Sequence, residues 1–127
     1  MAAGQAQLRE CLKAGFYESL SEKTNHFTSA ILDRLGERSG FRIFSTGSMF
    51  WFAFTSRNTI RRADEIDGSS MEKLRRFYSG LLQRGVYFGP SGYGVGFVSA
   101  AHTTADLDIA ATKIAEALDE VLVATVA

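Results

Sequence analysis

Between Gly85 and Thr103 the chain reads GVYFGPSGYGVGFVSAAHT, and these nineteen residues hold five of its twelve glycines and its only proline. Glycine reaches backbone conformations closed to other residues, while proline fixes its own φ and donates no backbone hydrogen bond. The spacing predicts a strand, a turn at Gly89-Pro90-Ser91-Gly92, a second strand and the start of a helix. Gly92, Gly94 and Gly96 leave alternate positions bare. A bare strip of backbone suits close approach by a ligand or another domain, and it also suits a tight hairpin.

The rest of the sequence supplies a small α+β domain around this segment. Leu8, Leu12, Phe16, Leu20, Phe27, Ile31 and Leu35 recur near the helical period, predicting one long amphipathic helix from Gln5 to Arg38, stopped by Gly40. Phe41–Ser45 and Met49–Thr55 read as strands joined by a turn at Thr46-Gly47. The second of them is apolar on both faces, and such a strand needs cover on both sides of its sheet. Residues 56–68 read as a charged surface loop.

Ser69 with Glu72 has capping-box spacing and opens a helix with a stripe of Leu74, Phe77, Tyr78, Leu81 and Leu82. Gly85 is placed to end it in a left-handed cap, with Arg84 in the last turn. Val86–Phe88 and Val95–Ser99 read as two further short strands. Thr103 with Asp106 is a second capping box, opening a final helix whose apolar face runs from Leu107 to Leu122. The expected fold class is therefore α+β, a two-layer sandwich of a small, mostly antiparallel sheet and helices, forming a single domain over residues 1–127. A sheet with helices on one face leaves its other face in need of a partner.

Composition narrows the class of function. Fourteen acidic and fourteen basic side chains cancel, so no net field points to nucleic acid or to an anionic membrane. No apolar run approaches the ~20 residues that span a bilayer, and no charged-then-apolar leader is visible. Cys11 is the only cysteine and has no internal disulfide partner, which fits a reducing cytoplasm. No His, Cys or acidic residues fall at metal-ligand spacing, so no metal is expected.

Two blocks carry a family resemblance. Gly85-Val86-Tyr87, Pro90-Ser91 and Phe97 to His102 match a Gly-Val-Tyr…Pro-Ser…Phe-Val-Ser-x-Ala-His run, and Gly47-Ser48-Met49-Phe50 matches a Gly-Ser-Met-Phe strand start. In these blocks, and in their order and spacing, the chain resembles the C-terminal region of glutamate-1-semialdehyde aminomutases, class III aminotransferases that depend on pyridoxal phosphate. The resemblance implies a small C-terminal domain packed on a large cofactor-binding domain, within a homodimer acting on a small amino-acid-like substrate. It implies an enzyme that moves an amino group within glutamate-1-semialdehyde to give 5-aminolevulinate for tetrapyrrole synthesis. It also makes Gly47, Ser48, Met49, Ser91, Gly92, Tyr93 and Gly94 the candidates for an active-site wall.

No catalytic or cofactor-binding residue is expected within this chain. Lys13, Lys23, Lys73 and Lys113 each fall on the polar side of a predicted helix, where a solvated ammonium is the ordinary state. The family's cofactor lysine, phosphate cup and pyridine-nitrogen carboxylate belong to the large domain, so the chain alone is expected to be inactive. The family commonly follows its Pro-Ser pair with Phe-Glu, the glutamate lying near the cofactor. Here Tyr93 stands at the phenylalanine and Gly94 at the glutamate. That departure leaves open a class III aminotransferase of other specificity, and an interaction module that kept the fold without the catalytic half is a third reading. Ser91 and Ser99 read as turn and strand-end hydrogen bonders, His102 as a structural residue before the Thr103 cap, and His26 as exposed. Arg57, Arg61 and Arg62 are followed directly by Asp64, Glu65 and Asp67, which makes a solvated loop of them rather than an anion site.

Overall fold

In the computed structural model, which describes residues 1–124, the chain opens with two helices where the periodicity predicts one. Helix α1 covers Ala2–Cys11 and α2 covers Phe16–Leu35. The break falls at Gly15, whose φ of 78° lies in the left-handed region and cannot continue a right-handed helix. Gly36, at φ 71°, then ends α2 before Arg38 and Gly40 are reached. Leu8 and Leu12 share the period of the core residues, yet α1 buries no side chain and both leucines are exposed. An apolar period marks a face without specifying what covers it.

Strands β1 (Arg42–Thr46) and β2 (Met49–Ala53) form an antiparallel hairpin, in register from Thr46↔Met49 to Arg42↔Ala53. Its two-residue loop places Gly47 first, at φ 56°, and Ser48 second at negative φ, the sign pattern of a type II′ turn. The third strand, β3, is only Gly96–Phe97, paired antiparallel through Met49↔Phe97 and Phe50↔Gly96. The sheet order is β1-β2-β3.

Two strand expectations need correction. Val86–Phe88 joins no ladder, because the Val86 N–H is already donated to the Leu81 carbonyl (2.9 Å) and the Gly85 N–H to Leu82 (3.0 Å), the paired bonds of a Schellman cap. Gly85 takes φ 74° there, as a left-handed cap requires. Phe88 instead turns its ring edge-on to Phe50 and Phe52. Val95–Ser99 pairs over two residues only: past Phe97, the Val98 N–H goes to the Ser48 carbonyl (2.9 Å) and the Ser99 N–H to His102 Nδ1 (3.0 Å), so the ladder passes into a turn.

Helix α3 covers Met71–Gln83 and α4 covers Thr104–Val123. The Ser69–Glu72 box does not form. Asp67 caps the entry instead, accepting from the Ser69 N–H (2.9 Å) and hydroxyl (2.7 Å) across a 3-10 turn, while Glu72 pairs with Arg75. The second box does form: Thr103 Oγ1 accepts from the Asp106 N–H (3.1 Å), and Asp106 Oδ2 accepts from the Thr103 N–H (2.9 Å).

Alternation along β2 decides the layers. Phe50 meets Phe27 of α2, with ring centres 5.2 Å apart, and Phe52 meets Phe77 of α3 at 5.6 Å. Phe54, just past the strand, lies 6.0 Å from Phe77. Helices α2, α3 and α4 thus cover one face of the sheet, giving the two-layer α+β sandwich. In α4 the small, fully buried Ala111 and Ala117 let Ile114 and Leu118 reach the core. Polar contacts edge the α2–α4 seam: Lys23 Nζ donates to the carbonyls of Ala100 (3.0 Å) and His102 (2.9 Å), His26 pairs with Asp108 (2.8 Å), and Arg34 Nε bonds Thr112 (3.0 Å). Lys23 and His26 are therefore engaged, not merely solvated. Exposed pairs of this kind contribute ~0–1 kcal/mol each, so the apolar layer carries the stability.

A Cβ on Gly96 would stand 2.2 Å from the Phe50 ring, whereas Gly89 has nothing within 4 Å. Gly96→Ala is expected to lower unfolding free energy by about 1–3 kcal/mol. Gly89→Ala is expected to stay within about 0.5 kcal/mol, both read by urea denaturation. The Thr103 hydroxyl, then its backbone N–H, holds Asp106 below the ordinary carboxylate range. A carboxyl whose folded value is lowered adds stability above its unfolded value and loses it as pH falls through the folded one. Asp106→Asn is therefore expected to destabilise most near neutral pH and progressively less below about pH 4, followed by thermal melts across pH.

Candidate active-site wall

The hairpin register brings the two sequence blocks onto one strand pair. Met49 opens β2 opposite Phe97, and the Ser48 carbonyl accepts from Val98, so Gly47, Ser48 and Met49 stand at one end of the β2–β3 ladder. The loop with Ser91, Gly92, Tyr93 and Gly94 lies beyond the other end. Trp51 ties it down, its Nε1–H donating to the Gly92 carbonyl at 2.9 Å. Within the loop, the Gly94 N–H bonds the Ser91 carbonyl (3.0 Å) and the Tyr93 N–H bonds Ser91 Oγ (3.2 Å). Ser91 thus acts as a turn hydrogen bonder, as its context suggests.

Between the two ends runs the sheet face that no helix covers. Phe44 and Trp51, opposite one another in β1 and β2, stack with ring centres 5.7 Å apart. With Met49 and Val95 they line a shallow groove of about 210 Å³. Phe97 and Tyr93 beside it are each 61% exposed. A second, smaller cavity of about 40 Å³ lies under the 88–96 segment, against Phe77 and Leu81 of α3. Neither lining holds a charged side chain.

The glycine strip is only partly a free surface. A Cβ on Gly92 would meet Leu74 Cδ1 at 2.6 Å and Met71 Sδ at 2.8 Å, and Gly96 is filled by Phe50. What approaches the backbone at both positions is this chain's own side chains. Gly94 is less crowded, but a Cβ there would still stand 3.2 Å from the Ser91 backbone carbonyl, close enough that the turn would have to give slightly.

Such a wall can shape a site, exclude water and offer the Ser91 and Tyr93 hydroxyls. It provides no acid, base or cation. Lys13 pairs with Glu10 and Lys23 staples the turn before α4, and neither Lys73 nor Lys113 lines the groove or the cavity. The described residues here do not by themselves fit pyridoxal phosphate, having no lysine amine and no cation for its phosphate. Among the described residues there is also no cluster of three potential metal ligands, and no helix is long and apolar enough to cross a membrane. His102 accepts from Ser99 on Nδ1, which leaves its proton on Nε2 and assigns the ring to the turn. Arg62 pairs with Asp64, and Glu65 accepts from the backbone N–H of Arg61, so acidic neighbours in the same loop engage the segment as its sequence suggests.

The chain is 40% identical over 114 residues, 88% of its length, to the glutamate-1-semialdehyde 2,1-aminomutase of Legionella pneumophila strain Paris. It is 34% identical over 122 residues, 94% of its length, to the protein of that name from Leptospira biflexa. By sequence, this chain is a relative of the glutamate-1-semialdehyde 2,1-aminomutases. It spans only 26–29% of the length of those aminomutases. No protein-family model matches it. A solved structure described as a transaminase with PLP bound shares the fold, with a TM-score of 0.73 at 23% identity, over 98% of this chain and 27% of that one.

Reading the sequence alone missed the Trp51–Gly92 bond and the internal filling of Gly92 and Gly96. The alternation of β2 did carry a signal for the exposed groove, since it sets Met49 and Trp51 opposite to Phe50 and Phe52.

Proposed function

We propose that this chain is the small, C-terminal domain of a pyridoxal-phosphate-dependent enzyme of the aminomutase kind, converting glutamate-1-semialdehyde to 5-aminolevulinate in the cytoplasm as a homodimer. The observation that carries the reading is an apolar sheet face left bare on a chain that aligns, along most of its length, with about a quarter of much longer relatives. A large companion domain holds the cofactor and its lysine and covers part of that face. When bound, the cofactor supplies the electron sink for amino transfer. This chain contributes the wall: Gly47, Ser48 and Met49 at one end, Ser91, Gly92, Tyr93 and Gly94 at the other. Its apolar lining keeps water from the reacting amine, and the two hydroxyls orient a small amino-acid-like substrate.

A class III aminotransferase of other specificity is the second reading, and Gly94 favours it. Glycine stands where the family's glutamate is expected, so that position supplies no carboxylate to the reacting centre.

Cofactor titration tests the first reading. The full-length protein is expected to bind one equivalent of pyridoxal phosphate with a shifted absorbance band, and the 127-residue chain alone to leave the free-cofactor spectrum unchanged. A stoichiometric shift from the isolated chain would overturn the division of labour. Gly94→Glu in the full-length protein separates the two readings: aminomutase turnover changing by less than about tenfold supports the first, and a larger gain supports the second.

A further inference from the structure

We propose that Trp51 is the positioning residue of the candidate wall, its indole N–H fixing the loop that presents Ser91, Tyr93 and Gly94. The segment from Val86 to Val95 has no ladder pairing, and the loop's other hydrogen bonds are internal to it. Among the described residues, the bond from Trp51 Nε1 to the Gly92 carbonyl is what ties residues 89–95 to the sheet by hydrogen bonding. An indole nitrogen donates and cannot accept, so the bond has one direction and one geometry.

Both partners are themselves held. The Trp51 ring lies stacked on Phe44, tilted by 23°, and the hairpin register places those two residues directly opposite each other. Gly92 is buried, and its Cα packs so closely on Leu74 and Met71 of α3 that a methyl group would not fit without displacing them. The loop is thus clamped from the sheet on one side and from a helix on the other, with Gly92 as the pinned point. Ser91 and Tyr93 flank that point, so their exposed side chains take their positions from it. The clamp contains no titratable group, so its effect is independent of pH. Assigning the loop to an active site rests on the function proposed above; the clamp does not.

The test is Trp51→Phe, which keeps a ring over Phe44 and removes the donor from Gly92. In the full-length protein, amide exchange at Tyr93 and Gly94 is expected to quicken about tenfold, as follows from leaving a buried carbonyl without its donor. Exchange in the β1–β2 ladder should stay unchanged. Turnover of glutamate-1-semialdehyde should fall by a similar factor in kcat, with the shape of the pH profile unmoved. Tyr93→Ala, which leaves the clamp intact, should also lower turnover. Unchanged exchange at Tyr93 and Gly94, or exchange quickened evenly through the whole domain, would overturn the clamp. A loosened loop with normal turnover in Trp51→Phe but reduced turnover in Tyr93→Ala would overturn the positioning role and spare the wall. Normal turnover in both variants would overturn the wall itself, and the role of Trp51 with it.

Discussion

Strand β2 carries aromatic side chains on both of its faces, while helices cover the sheet on one side only. Phe50 and Phe52 turn toward α2 and α3 and, with Phe54 beyond them, join the core; Trp51 turns the other way, onto Phe44. Much else follows from that division. Two twenty-residue helices, α2 and α4, supply the covering layer, with α3 closing the end near Phe77. The opposite face keeps Met49, Val95 and Phe97 in water, an arrangement with a cost in hydrophobic free energy unless something else covers it.

The bare backbone around Gly92–Gly96 gains a specific meaning against this background. Gly96 is bare because the Phe50 ring crosses it, and Gly92 is bare because α3 presses on it. These glycines allow a loop without ladder pairing to lie close to a densely aromatic core. The loop then ends beside the groove, where Tyr93 and Gly94 are exposed. Close internal packing therefore serves the candidate wall indirectly, by setting where its free residues emerge.

Most features encoded by neighbouring residues were legible in the sequence, the Ser69–Glu72 box being the exception because Asp67 takes the Ser69 N–H and hydroxyl. The Thr103–Asp106 box, the left-handed cap at Gly85 and the hairpin around Gly47 each depend on a few consecutive positions, and each forms. The α+β class and the need to cover a doubly apolar strand were legible from periodicity. The break at Gly15 was not, because Leu8 and Leu12 continue the helical period although both remain largely exposed. The loss of the Val86 strand depended on competition for one N–H, which the helix cap takes first. For the candidate site, the two blocks and their order were readable. The tie between Trp51 and Gly92 joins residues 41 positions apart, and only tertiary structure reveals it.

The proposal stands or falls on whether the outer sheet face is covered in a longer protein that contains this chain. Hydroxyl-radical footprinting, quantified at Met49 and Phe97 in the 127-residue chain and in the full-length protein, tests it most directly. The account predicts strong oxidation of both residues in the isolated chain and marked protection in the longer protein, with exposed Leu8 and Ile109 as references. Equal labelling of Met49 and Phe97 in the two proteins would contradict it.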